Sequence, residues 1–453
     1  MADDPSTKTA AASPLKRREI VEALRIGAVP RRGLELFAVG LDRYERAIDE
    51  ELEAVAAGRG RFKAVRGDYG SGKTFFSRWL EHRARERGFA TTLVQISETE
   101  TPLYKLQTLY RRAIEGLQTQ EWTDGAFASL VDRWLYTLEE EVIDHGGINP
   151  DDPDGFGKAV GELLERRLAD VSKTQPQYAA ALRSCYTARL AGDHATEQGL
   201  IAWLMGQPNV AASLKREAGI KGDLDSDGAS GFLRGLLEVL RQTGRKGLVL
   251  VLDEVETIQR VRGDSREKSL NALRGLIDDV HGGRYPGLYV LITGTPAFFD
   301  GPQGVRRLAP LAQRLETDFS GDPRFHNPRA PQIWLQPFDH ARLVDVGRRI
   351  RDLYPSARTE RLRERVPDPV IDTVARGVEG QLGNKVGIAP RLFLRRLVDV
   401  LDRVDEFDDF DPLKDYDLAL KASEMTAEES AAAGVTRTVD DIELDLSPGD
   451  AEP

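Results

Sequence analysis

Two short stretches carry residue types whose spacing could do chemistry. Gly67-Asp68-Tyr69-Gly70-Ser71-Gly72-Lys73-Thr74 fits G-x-x-x-x-G-K-[ST], a pattern that cradles phosphate. Gly67, Gly70 and Gly72 let backbone N–H groups close on phosphate oxygens around Ser71, and a helix opening at Lys73 adds its positive dipole end. Lys73 can then reach the β- and γ-phosphates, while the Thr74 hydroxyl can ligate Mg²⁺. The second stretch, Gly247-Leu-Val-Leu-Val-Leu-Asp253-Glu254, runs five large aliphatic residues into two carboxylates. Such a run suits a parallel strand buried on both faces, and acids at its tip are costly unless a cation or water uses them. Asp253 is the candidate metal ligand and Glu254 the candidate to polarise an attacking water. Each stretch has a plainer reading, a glycine-rich turn with an incidental lysine or a core strand ending in a solvated acidic turn. Together they point to ATP or a close relative, with Mg²⁺.

The elements that must position these residues follow from periodicity. Phe62 to Arg66 reads as a strand before the loop, and Phe75, Phe76, Trp79 and Leu80 recur at helical spacing after it. Phe89 to Ile96 reads as a second strand and Leu288 to Thr295 as a third buried one, ending in hydroxyls. The spacing predicts helices at 265–280 and 305–315, a short strand at 332–335, then three helices at 339–353, 370–379 and 390–404. Between Pro102 and Arg245 the periodicity is almost wholly helical, too long for a loop, and predicts a helical insertion. The expected fold is therefore α/β, a parallel sheet flanked by helices, with that insertion at about 102–245 inside a core spanning 14–330. A helical lid at 331–405 follows, between a disordered start at 1–13 and an acidic, disordered tail at 406–453.

Composition narrows the function classes. Lys+Arg total 63 against Asp+Glu 74, a net charge of −11, which argues against non-specific coating of nucleic acid without excluding DNA in a local channel. A single cysteine, Cys185, rules out an internal disulfide and a thiolate zinc cluster. No apolar run approaches a membrane span, and the first residues lack the apolar core of a signal peptide. The expected location is cytoplasmic, without a membrane partner.

Taken in order, the loop, the acidic strand tip, a strand-tip threonine, a distal arginine and a late arginine resemble the AAA+ P-loop ATPases. The resemblance implies that Val39-Gly40 contacts the adenine and that Thr295, or failing it Thr293, senses the phosphates from a strand tip. It implies that Arg314 reaches a neighbouring subunit's γ-phosphate and that Arg391 folds over the nucleotide from the lid. The plain alternatives are an ordinary turn at Val39, a helix-capping Thr295 and solvated arginines. A narrower match lies in KGLVLVLDEVETI, SREKSLNALRGLIDDV and LYVLITGTPAFF, with LIAWLMGQP upstream. These are similar to BREX-system ATP-binding proteins of the BrxD type, found in bacterial anti-phage defence. That likeness implies an ATP-hydrolysing subunit of a defence complex, homo-oligomeric, with DNA or partner proteins as what it remodels. A nucleotide-gated switch or a docking scaffold with little turnover is the alternative.

Overall fold

The computed structural model describes residues 12–146, 153–381 and 389–417. The expectations for 1–11, for Gly387 and Ile388 before the last helix, and for the tail beyond 417 lie outside the described residues. In chain order the elements begin α1 (Pro14–Arg25), α2 (Asp42–Ala56), β1 (Arg61–Arg66), α3 (Lys73–Glu86) and β2 (Ala90–Gln95). Helices α4 (Leu106–Glu115), α5 (Ala126–Gly146), α6 (Pro153–Thr174), α7 (Pro176–Leu190), α8 (His194–Leu204), α9 (Ala212–Glu217) and α10 (Ser226–Gln242) follow. Next come β3 (Leu248–Asp253), α11 (Gly263–His281), β4 (Leu288–Gly294), α12 (Pro296–Asp300), α13 (Ala309–Arg314) and β5 (Gln332–Trp334). The last helices are α14 (His340–Leu353), α15 (Thr359–Arg365), α16 (Asp368–Gln381) and α17 (Ala389–Glu406).

These elements fall into two compact units. The sheet unit holds residues 43–66 and 76–334. Its five strands are all parallel, in the order β2-β3-β4-β1-β5. Strands β3 and β4 are buried at every position, as their predominantly apolar runs require of strands covered on both faces. The register aligns Val65 with Thr293 and Arg66 with Gly294, so the chemistry-bearing ends of β1, β3 and β4 share the carboxyl edge. That edge is where open parallel sheets bind ligands. Helices α4 to α10 fill the interval between β2 and β3, and their apolar faces join the sheet's in one core: Trp134, Leu182 and Leu236 belong to it with Leu250 and Ile292. Phe232 is its hub, with the rings of Tyr110, Tyr178 and Trp203 edge-on at 5.7, 5.1 and 5.0 Å. Cys185 is buried there, and that burial pushes its thiol up to about 12, leaving it without nucleophilic character near neutrality.

The other unit gathers the residues up to Asp42, Gly67–Phe75 and those from Leu335 onward. The first helix groups with the last ones. The reason is packing: α1 buries Ile20, Val21 and Leu24 and fastens to α17 through Arg25, whose Nε and Nη2 each donate to Asp402 at 2.8 Å. Gly347 lets α14 meet α16 and α17, because a Cβ there would lie 2.6 Å from Ile371 and 2.8 Å from Phe393. Residues 407–417 also belong here, with Phe410 buried and Arg403 over the Tyr416 ring at 5.2 Å. No helix among the described residues is long and apolar enough to cross a membrane.

One buried ionic network ties the sheet to α2. Lys63, 1% exposed, sits in β1 with its Nζ 2.6 Å from Glu51 Oε1. It also donates to the carbonyls of Pro328 at 3.1 Å and Ala330 at 2.8 Å. The Tyr289 hydroxyl of β4 donates to the other Glu51 oxygen at 2.6 Å. Burial pulls the Lys63 pKa down, and Glu51 opposes that shift. Removing one member of such a pair strands a buried charge, which costs about 3–5 kcal/mol. Lys63→Ala is therefore expected to lose that much in denaturant unfolding, and a loss below about 1 kcal/mol would show the network to be incidental.

Candidate nucleotide-binding site

The phosphate loop is shaped by residues that only glycine can replace. A Cβ on Gly67 would lie 2.2 Å from Ser71 Oγ, and Gly70 and Gly72 hold left-handed φ values of 76° and 91°. Lys73 opens α3 and is itself buried. Its ammonium folds back over the loop, donating to the carbonyls of Gly67 at 2.9 Å and Asp68 at 3.2 Å, above the Tyr69 ring at 5.2 Å. The Ser71 hydroxyl is buried without a hydrogen-bond partner. A turn with no room for a side chain at Gly67, a buried cation and an orphaned hydroxyl form a donor set that fits a phosphate. In the same unit Gly40 holds φ 76°, and a Cβ there would lie 3.5 Å from Arg342 Nε. The preceding Ala38 carbonyl accepts from Arg349 Nη1 at 2.6 Å. The turn at Val39-Gly40 is thereby fixed against α14.

The acidic tip is built by the sheet unit. Asp253 closes β3, 4% exposed, and accepts a short hydrogen bond from the Thr293 hydroxyl of β4. The same Thr293 oxygen accepts from the Glu254 N–H at 3.1 Å. One hydroxyl thus aims both carboxylate-bearing residues. Glu254 sits in the left-handed region at φ 58°, ψ 44°, a strained conformation for a side chain of this size that costs about 1–3 kcal/mol and clusters at functional sites. Thr257 holds it there, its backbone N–H and hydroxyl reaching the Glu254 carbonyl at 3.1 and 3.0 Å.

The structure brings Thr293 to Asp253 and leaves Thr295 elsewhere. Strand β4 ends at Gly294, and Pro296 starts α12, so Thr295 is the N-cap residue of that short helix. Arg314 ends α13 with its guanidinium on Asp278 of α11, Nη2 to Oδ2 at 3.0 Å, and Nη1 on the Pro310 carbonyl at 2.7 Å. Any role at another subunit's phosphate would require that pair to open. Arg391 lies in the first turn of α17 against Gly27, where a Cβ would be 3.1 Å from its Nη1.

Two contributors escaped the sequence reading. Gln95, the last residue of β2, donates from Nε2 to Glu254 Oε2 at 2.9 Å; the only signal was an amide at the tip of a strand. Glu81, on α3, is buried. Burial pushes its carboxyl up to about 7, the Asp253 charge adds to the rise, and Arg85, Arg78 and a hydrogen bond to Thr91 oppose it. Among the described residues no group of three or more His, Cys, Asp or Glu could hold a metal ion.

Glu81 sets a pH dependence whose sign follows from its direction of shift. A carboxyl with a raised folded pKa contributes fully below the unfolded value, and its contribution is lost as pH rises through about 7. Between about pH 5 and about pH 8 the wild type should therefore lose roughly 2–3 kcal/mol relative to Glu81→Gln, which cannot ionise. Urea unfolding of both proteins at the two pH values reads this directly. A gap that does not change with pH would mean the carboxyl is not held neutral.

A search of curated proteins finds no match to this chain. The family described as BREX system ATP-binding protein BrxC/D matches residues 12–419, which take in the phosphate loop, the acidic strand tip and both units. With that match over most of its length, the chain belongs to the BREX system ATP-binding BrxC/D family.

Proposed function

We propose that this ATP-binding member of a phage-defence system is a Mg²⁺-dependent AAA+ ATPase of the cytoplasm. Its turnover would drive remodelling of DNA or of the other subunits of the defence complex. In this reading α4 to α10 are the insertion between the two nucleotide motifs, and α14 to α17 are the lid. The observation that carries it is the tip of β3, where Thr293 aims Asp253 and Glu254 is held in a strained conformation. A strand that merely ended in a solvated turn would need neither.

The loop N–H groups and Lys73 would bind the phosphates, the ammonium exchanging its loop carbonyls for phosphate oxygens. Mg²⁺, when bound, supplies charge neutralisation on the phosphates, and Thr74 and Asp253 are the residues that would hold it. Few protein ligands suffice, since Mg²⁺ is usually held by one or two carboxylates plus substrate phosphates and water. Glu254 would orient the attacking water and take up its proton. Thr293 would keep Asp253 oriented for that role, and Gln95 would restrain Glu254. Oligomerisation and a nucleotide contact from Val39-Gly40 or Arg391 rest on the AAA+ resemblance alone.

A second reading is a nucleotide-gated switch with little turnover. The Gln95 hydrogen bond favours it, because a carboxylate already engaged by an amide orients water less well. Equilibrium ATP binding and phosphate release, measured on the same full-length proteins, separate the two. The ATPase reading expects Mg²⁺-dependent turnover in the wild type and loss of ATP binding in Lys73→Ala. It expects Glu254→Gln to bind ATP normally while turnover falls about 100-fold or more. Unchanged turnover in Glu254→Gln would sink the catalytic assignment, and tight binding without measurable wild-type turnover would favour the switch.

A further inference from the structure

Arg66, the last residue of β1, takes no part in the steps above, yet its side chain is held on several sides at the carboxyl edge of the sheet. It is 5% exposed. Its guanidinium faces three rings, with Trp334 at 4.9 Å, Phe319 at 5.1 Å and Phe299 at 5.6 Å. Asp300 grips the terminal nitrogens, with Nη1 3.4 Å from Oδ1 and Nη2 closer still on Oδ2, while Nε is buried without a partner. Asp300 is also 3.7 Å from Arg306 Nη2. Burying a permanent cation is costly, and an aliphatic residue such as those in β3 would fill a strand end without that cost. A planar cation earns its place only where orientation matters, because it stacks on rings and pairs in a fork at once.

The cage joins three points where the chain leaves the sheet. Arg66 is the register partner of Gly294 in β4 and of Trp334 in β5, and Asp300 ends the helix that follows β4. The residue after Arg66 is Gly67, the first of the phosphate loop, and the residue after Trp334 is Leu335. Within the unit those residues enter, a Cβ on Gly67 would lie 3.4 Å from Leu335 Cβ, and one on Gly72 would lie 4.0 Å from Phe338. The loop and the segment packed on its glycines therefore start from two neighbouring strand ends that one guanidinium locks together.

We infer that Arg66 is a positioning residue for the phosphate loop, its caged guanidinium fixing the point and direction at which β1 hands over to Gly67. The consequence for ATP rests on the nucleotide reading; the consequence for the loop itself does not. Full-length Arg66→Lys keeps the charge but neither stacks as a plane nor pairs as a fork. Hydrogen exchange in protein without added nucleotide should then run about tenfold faster in peptides covering 67–75, with 248–253 in β3 unchanged. The KM for ATP should rise about tenfold while kcat stays within about threefold, since Lys73, Thr74 and Glu254 are intact. Asp300→Asn should shift both readouts the same way by less, and it carries the test alone if Arg66→Lys does not fold. Wild-type exchange in the loop would overturn the inference, and so would acceleration spreading equally into β3. Faster loop exchange in a protein whose wild type binds no ATP would uphold the clamp and remove the nucleotide reading instead.

Discussion

A carboxylate at the end of a strand buried on both faces has to be given a direction, and in this chain one hydroxyl gives it. Thr293 donates to Asp253 and accepts from the Glu254 N–H. For that to happen β4 must lie beside β3, with Ile292 opposite Leu252 and Thr293 one place beyond. The order β2-β3-β4-β1-β5 supplies this neighbour and puts β1, whose end becomes the phosphate loop, on the other side of β4. The aliphatic runs of β3 and β4 are what make the order stable. Asp253 and Thr293 stand where those runs end, at the carboxyl edge.

The loop obeys a different constraint, that of space. Ser71 occupies the volume a side chain on Gly67 would need, so the turn closes tightly enough for Lys73 to reach back to its own carbonyls. A buried ammonium held by two carbonyls is a weaker arrangement than one held by phosphate oxygens, which carry full charge. That difference is what a nucleotide would exploit. Glu81 extends the same theme beneath the helix: its carboxyl avoids the charge that burial and Asp253 would make costly.

Much of this was legible in the sequence, and the reason is periodicity. Apolar runs marked β3 and β4, the glycine spacing marked the loop, and helical spacing marked helices between β2 and β3. What was not legible depends on where an element stops and on which partner it meets. Thr293 and Thr295 share a face by alternation, but Gly294 ends the strand and Pro296 starts a helix, and it is Thr293 that bonds Asp253. Lys63, Arg66 and Glu81 carry no periodic mark of burial, yet all three are buried, Lys63 against Glu51 and Arg66 against Asp300. Arg314 shows the converse, a residue singled out by its place in the order and then found gripping Asp278. Single-residue roles at the edges of elements are set by tertiary partners, which no periodicity encodes.

The central claim is that the strand tip aimed by Thr293 is where the chemistry occurs. Its most direct measurement is Mg²⁺-dependent ATP turnover in Thr293→Val beside Thr295→Val, two variants of equal size change on the two candidate threonines. The account predicts that Thr293→Val loses about tenfold or more in turnover and needs more Mg²⁺ for half-maximal rate, while Thr295→Val stays within about twofold. Equal losses in both, or a loss confined to Thr295→Val, would contradict it.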